Sequence, residues 1–436
     1  MRSTNDLSTR RAITNKYEDR FRRSLKGRSC VESLRLTSAR PSERTRYRPS
    51  FEAVAARAFP TSRVLCQTRA APLPTHLRRM TPTTRDAVLL LTHSGDFYTV
   101  DLVSQALARR GARPVRFNTD LFPSSAKLLA RAGDKRAAHL HTDEGEQIST
   151  AEVRAVWARK LWSPRMADDL DERYRLMCIR ESAAALEGFL DALHDALWVN
   201  DLQRQRAAEN KQRQLRLAAH AGLRVPRTLV TNDPAAARQF FAETEGQTVA
   251  KLLRPLNVSM DAAQPFVYTS RVREEDLDCA ETLRHSPMVF QELIPKAHEL
   301  RVACVGGEAF AGALDTSGTS RGHTDWRRVA PDECRWQKAQ LPDEVSSGLK
   351  ALMSELGLVF GAVDLICTPS GEYVFLEVNP SGEWGMLERD LALPISEAIA
   401  EALLEDSSPL SVVSRTSLTN RLSVSINVSN AEPTDN

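Results

Sequence analysis

No apolar run in this 436-residue chain approaches the roughly 20 residues that span a bilayer. The longest, such as Ala87–Leu91, are strand-sized. The common phosphate loops are missing too. There is no GxxxxGK followed by Ser or Thr, and no GxGxxG follows the first apolar strand, so a nucleotide would have to be gripped in another way. The seven cysteines, Cys30, Cys66, Cys178, Cys279, Cys304, Cys334 and Cys367, lie far apart, and none forms a CxxC or a Cys/His pair at metal spacing. That excludes a zinc site or a disulfide framework and fits free thiols in a reducing compartment, hence a cytoplasmic protein with no membrane segment.

The net charge of +3 conceals an asymmetry. Residues 1–80 carry 19 basic side chains against 6 acidic ones, so the rest of the chain holds a net charge of −10. Basicity confined to one segment gives no support to nucleic-acid binding by the globular part. Residues 1–80 are rich in Arg and Ser, with few apolar clusters, and cannot bury enough surface to offset the entropy of ordering. They read as a disordered basic extension. A nucleic-acid arm or a transit peptide are alternative readings, and the preferred one places the true start at Met80. Mass spectrometry of the native protein tests this, since a peptide from before Met80 would contradict it.

Ordered patterning begins after Met80. Ala87–Thr92 reads as a buried strand, Tyr98–Arg110 as a helix with Val100, Val103 and Leu107 on one face, and Pro114–Asn118 as the next strand, together a βαβ unit. Helical spacing continues over about 168–197. Asp201 caps a predicted helix running to Ala221, closed by Gly222. Strands and helices then alternate to a hairpin, Ala362–Cys367 and Tyr373–Val378, turned at Pro369-Ser370-Gly371, and a last helix over Pro394–Leu404. The boundaries read as 82–198, 199–295 and 296–405, with 406–436 a disordered tail.

The hairpin carries the strongest local signal. Asp364 sits in an apolar strand, where an unpaired carboxylate is costly. Glu377 and Asn379 share a strand face, and folding the hairpin brings Asp364 near Glu377. Two carboxylates and an amide oxygen suit magnesium; pairing with buried Arg or Lys is the plainer alternative. Lys251, inside the apolar strand Thr248–Leu253, needs an anion, either a phosphate or a structural partner. Lys211 lies on a polar helix and means nothing alone. Gln291, Glu292, Leu293 and Ile294 leave an apolar strand into a Pro-containing link that can offer backbone groups to an adenine edge. Glu299 and Arg301 follow, an acid for ribose hydroxyls and a base for phosphate.

In this order along the chain, Lys211, Lys251, Gln291–Ile294, Glu299, Arg301, Asp364, Glu377 and Asn379 resemble the ATP-grasp superfamily. Finer features resemble the microviridin-type graspetide ligases. These are His93-Ser-Gly-Asp96, Phe117-Asn-Thr-Asp120, Trp198-Val-Asn200, Asn210-Lys211 with Gln214, Val225-Pro226, Asp325-Trp326-Arg327 and Asn379-Pro-Ser-Gly-Glu-Trp384. After Arg159 this chain has Lys160 where a second arginine is expected, which leaves a substrate role there open.

The resemblance implies an α/β chain with two α+β subdomains gripping ATP, preceded by a βαβ pre-ATP-grasp domain. It also implies site roles. Lys211 and Lys251 would meet the ATP phosphates. Gln291 and Leu293 belong to the link whose Glu292 and Ile294 offer backbone to adenine, and Glu299 would hold the ribose. Asp364, Glu377 and Asn379 would hold two magnesium ions, with Glu377 bridging them. Arg301, Lys251 and Arg327 would act on the reacting groups, and Arg321 could contact an acidic peptide. The implied reaction activates Asp or Glu side chains of a ribosomal precursor peptide as acyl phosphates, then joins them to Lys, Ser or Thr of the same peptide. A leader segment would bind between the central and N-terminal regions, and a homodimer is expected. A glutamate or amino-acid ligase and a non-catalytic nucleotide-binding scaffold are the competing readings.

Overall fold

The computed structural model describes residues 85–131, 133, 138–253, 269–314 and 335–405, all within the unit Thr83–Asn436. Outside the described residues lie segment 1–80, tail 406–436, Arg321 and the Asp325-Trp326-Arg327 motif.

Strand β1 (Ala87–Thr92) is buried along its whole length. Helix α1 (Tyr98–Arg109), β2 (Arg113–Asn118), a small antiparallel sheet of β3 (Lys127–Leu129), β4 (His139–His141) and β5 (Gln147–Ser149), then β6 (Val153–Ala158), α2 (Glu172–Asp191) and β7 (Leu197–Val199) follow. The main sheet has order β2-β1-β6-β7, all parallel. A parallel strand flanked on both sides and covered on both faces reads as an unbroken apolar run, which is why AVLLLT lacks alternation. Val88 and Leu90 face Val100, Val103 and Leu107 of α1, whereas Leu89 and Leu91 face Phe189 and Leu190 of α2. The helical stretch predicted to 197 is shorter than expected. It ends at Asp191, and Leu197–Val199 pairs with Ala155–Trp157, where sheet hydrogen bonds override helical spacing.

The single helix predicted from Asp201 to Ala221 is two: α3 (Leu202–Ala208) and α4 (Lys211–His220). Asp201 caps the first through the Arg204 N–H, and Asn210 caps a second through the Arg213 N–H. The break makes Lys211 the first residue of α4.

A second sheet is built from β8 (Thr228–Thr231), β9 (Thr248–Lys251), β10 (Ser270–Arg271) and β11 (Met288–Glu292), in the order β10-β9-β11-β8, with α5 (Pro234–Glu243) between β8 and β9. Ala237 and Phe240 of α5 pack with Phe290 and Leu283. The third sheet contains β12 (His298–Val305), β13 (Glu308–Leu314), β14 (Trp336–Ala339), β15 (Phe360–Cys367) and β16 (Tyr373–Asn379), ordered β14-β13-β12-β15-β16. Helix α6 (Asp343–Leu356) precedes β15, and α7 (Gly385–Leu391) and α8 (Ile395–Leu404) close the described chain. Leu349, Leu352 and Leu356 of α6 cover one face of this sheet, on Leu300, Val302, Val363, Leu365 and Val378. Ala303, Val305 and Ala362 on its other face join Trp384, α7, α8 and α1 in a cluster that also reaches Val88 and Leu90. Among the described residues no helix is long and apolar enough to cross a membrane.

Candidate active site

The hydrogen-bond register of the third sheet brings three charged residues abreast: Arg301 lies opposite Asp364, and Asp364 opposite Glu377. One residue farther along, alternation is broken. Leu365 pairs with Phe375, so Leu376 is an extra residue in β16. Phe375 and Val378, three positions apart, both pack toward α6, which an uninterrupted strand does not allow. The bulge at Leu376 therefore turns Glu377 and Asn379 onto the face of Asp364. The hairpin turn was readable in sequence; the bulge was not.

Helix α4 brings a cation to this face. Gln214 exchanges two hydrogen bonds with the backbone of Val378, donating to its carbonyl at 2.8 Å and accepting from its N–H at 3.0 Å. Lys211, one turn earlier on the same side of the helix, puts Nζ 2.6 Å from Glu377 Oε2. Asn379 Nδ2 donates to Glu377 Oε1 at 3.2 Å. Arg301 Nη1 donates to Asp364 Oδ1 at 2.6 Å. Arg301 and Glu377 are buried, and Asp364 nearly so. The plainer alternative, carboxylates paired with Arg and Lys, thus describes the geometry, and the two cations, buried Arg301 and half-buried Lys211, are ones the family resemblance directs at phosphates.

The other sequence-selected residues lie on neighbouring elements. Lys251, on β9, donates Nζ to Gln291 Oε1 at 3.0 Å, and Gln291 Nε2 donates to Thr228 Oγ1 at 2.8 Å. Lys251 and Gln291 thus share one polar chain across the second sheet. The Glu292 N–H donates to the Arg227 carbonyl and the Leu293 N–H to that of Gln247, both at 2.9 Å. These bonds hold the link into β12 against the second sheet. Glu299 is paired with Lys296, a residue the sequence reading passed over. Ile294 packs with Ile366, Val374 and Leu376. The result is an apolar patch adjoining Glu377 in the chain, and only Ile294 of it was singled out from sequence.

The C-terminal ends of the parallel strands contribute a second polar cluster. His93 stacks on Trp162 at 3.8 Å with the rings nearly parallel, and its Nδ1 accepts the Gly95 N–H at 3.1 Å. Asp120 accepts from the Ser94 N–H and Oγ at 2.8 and 2.6 Å. Arg159 and Lys160, which follow β6, both reach Glu383. Partial burial of Glu383 opposes ionisation, yet Arg159, then Lys160, hold its carboxyl at about 2.

Burial pushes the His93 pKa below 6.5; Lys160 and Arg159 reinforce that, and Asp96 and Asp120 oppose it. Above pH 6.5 the imidazole is neutral in both states and its contribution is intact. As pH falls below 6.5 the unfolded chain takes up the proton first, and stability is lost toward the lower native pKa. Urea midpoints of the wild type are expected to fall more steeply from about pH 7 to about pH 5 than those of His93→Gln. Parallel curves would contradict this.

Among the described residues no group of three or more His, Cys, Asp and Glu is arranged to hold a metal ion by itself. Two carboxylates and an amide oxygen suit a small hard cation whose remaining ligands are phosphate oxygens and water. The set offers nothing to a soft metal, and the adjoining lysine and arginine suit the phosphates themselves. The residues present therefore fit magnesium together with a nucleotide.

Residues 87–206 match the family model described as the MvdD pre-ATP grasp domain. No curated protein matches the chain. Among solved structures, macrocyclase MdnB from Microcystis aeruginosa MRC is 48% identical, over 74% of this chain and 100% of that one, with a TM-score of 0.64. Macrocyclase MdnC of the same organism, bound with its precursor peptide MdnA, is 35% identical over 73% of this chain and 100% of that one, with a TM-score of 0.66. A RiPP-associated ATP-grasp ligase of Chryseobacterium gregarium, in complex with ADP and a leader and core peptide, is 29% identical, over 73% of this chain and 96% of that one, with a TM-score of 0.68. The family model over residues 87–206 and a relative 48% identical over its full length settle the assignment: the chain belongs to the graspetide-type ATP-grasp ligases and is an ATP-dependent ligase.

Proposed function

We propose that this ligase activates Asp or Glu side-chain carboxylates of a ribosomal precursor peptide as acyl phosphates and joins them to Lys, Ser or Thr side chains of the same peptide. The observation that carries the reading is the convergence of Lys211 and Arg301 on Glu377 and Asp364. The substrate class is supported by the relatives solved with precursor peptides.

The carboxylate oxygen attacks the γ-phosphate and ADP leaves; the amine or hydroxyl then attacks the acyl carbon, loses its proton, and phosphate departs. The transfer demands positioning and charge neutralisation more than covalent help from the protein. Lys211 and Lys251 would bind phosphates, and Arg301 would face the transferred group, with Arg327 beyond the described residues. Ile294 and its apolar neighbours would receive adenine, and Glu299 the ribose. Asp364, Glu377 and Asn379 would hold two magnesium ions, which offset phosphate charge when bound. In this reading residues 82–198 form the pre-ATP-grasp domain, 199–295 and 296–405 grip ATP, a leader binds between the central and N-terminal regions, and the enzyme is a cytoplasmic homodimer.

Co-expression with a short peptide encoded beside this gene tests the reading. The peptide is expected to lose one water mass per linkage. An unmodified peptide, with ATP consumed instead on free amino acids, would overturn it.

A further inference from the structure

The turn after β16 is held by side chains from distant parts of the chain. Four successive carbonyls accept from them: Pro380 from Asn200 Nδ2 at 3.1 Å, Ser381 and Gly382 from Arg159 Nη1 at 2.6 and 3.0 Å, and Glu383 from Arg301 Nε at 3.0 Å. Arg159 is 1% exposed, and its Nη2 also lies 2.6 Å from Glu383 Oε2, which Lys160 Nζ approaches to 2.9 Å. Carbonyls on a turn are ordinarily left to water. Here a buried guanidinium from the end of β6 takes two of them and the adjoining carboxylate.

We propose that Arg159 and Glu383 are positioning residues for Arg301, and that through them the N-terminal sheet aims the arginine that faces the transferred phosphoryl group. The inference rests on the role given to Arg301 above. Two bonds orient the Arg301 guanidinium: Nη1 to Asp364 and Nε to the Glu383 carbonyl. With both fixed, the plane of the group is fixed, and its remaining N–H groups have one direction. Arg159 and Lys160 occupy the Glu383 carboxylate, so Arg301 receives from this residue a carbonyl, which orients without neutralising it. Gly382 lets the turn lie against the arginine, since a Cβ there would stand 2.8 Å from Arg301 Nη2.

The test is a double-mutant cycle. Glu383→Gln removes the charge held by Arg159 and keeps the shape of a half-exposed side chain. In the wild type, single-turnover ADP formation with precursor peptide is expected to slow about tenfold, with KM for ATP moving less than about twofold. In an Arg301→Lys background the same change is expected to cost less than about twofold, because its route to the chemistry is gone. Arg159→Lys, which keeps charge but loses the paired hold on Ser381 and Gly382, is expected to behave like Glu383→Gln. An equal loss in both backgrounds would overturn the proposal. So would a lowered melting temperature with an unchanged rate, the mark of a clamp that serves folding alone. Unchanged turnover in Arg301→Ala would instead overturn the role of Arg301.

Discussion

Glu377→Gln is expected to reduce ADP formation by at least about a thousandfold while leaving the fold intact. Glu377 stands where Lys211, Asn379 and Asp364 come together. Its two oxygens take Lys211 and Asn379, and its backbone lies across from Asp364. Glutamine has the same shape and can still accept from Asn379, so packing changes little. What is lost is a full negative charge in a buried position, which in the proposed site would help offset the magnesium charge. Leaving Lys211 without its ionic partner would cost about 1–2 kcal/mol, a few degrees in melting temperature. Coupled assay of ADP release beside a thermal melt checks both halves. Near-wild-type release in a folded Glu377→Gln would remove the acidic pair from the chemistry.

Gly382→Ala is expected to damage stability and activity together. A Cβ at this position would lie 2.4 Å from Ala362 Cβ, 2.8 Å from Arg301 Nη2 and 2.9 Å from Asn379 Cβ. Two of these neighbours are Cβ atoms on adjacent strands, which cannot swing aside; the third is the guanidinium of Arg301. The turn would have to rise from the sheet, loosening the carbonyls held by Arg159 and Arg301. Overpacking of this kind costs about 1–3 kcal/mol, and displacement of Arg301 adds an expected rate loss on the order of a hundredfold. Chemical denaturation and single-turnover kinetics on the same preparation measure the two effects. A variant as stable and as fast as the wild type would show that the turn has room the geometry denies it.

The features readable in the sequence are those whose cause is local. The unbroken run of β1 announces a strand covered on both faces. The hairpin of β15 and β16 follows from its turn, where Gly371 adopts φ 84°, a conformation glycine takes at no steric cost. From that turn Asp364 comes within reach of Glu377 by counting alone. The order of Lys211, Lys251, Glu299, Arg301, Asp364, Glu377 and Asn379 named a family, although no single member of the set is persuasive by itself.

Other features depended on chain segments far apart. Helical spacing from Asp201 to Ala221 hid a break, because capping by Asn210 costs no apolar position. The bulge at Leu376 leaves no mark in composition, yet it decides which face Glu377 occupies. Lys211 and Glu377 are separated by 166 residues, and Arg159 and Glu383 by 224. By itself the sequence determined β1, α1, β2 and the β15–β16 hairpin and which residues carry charge into apolar surroundings, since these follow from spacing and local propensity. Only the tertiary structure decided which cation meets which acid, that Arg159 holds the turn whose Glu383 carbonyl accepts from Arg301, and that an apolar patch forms under Ile294. Those pairings arise when separate sheets and helices pack, and no local pattern encodes them.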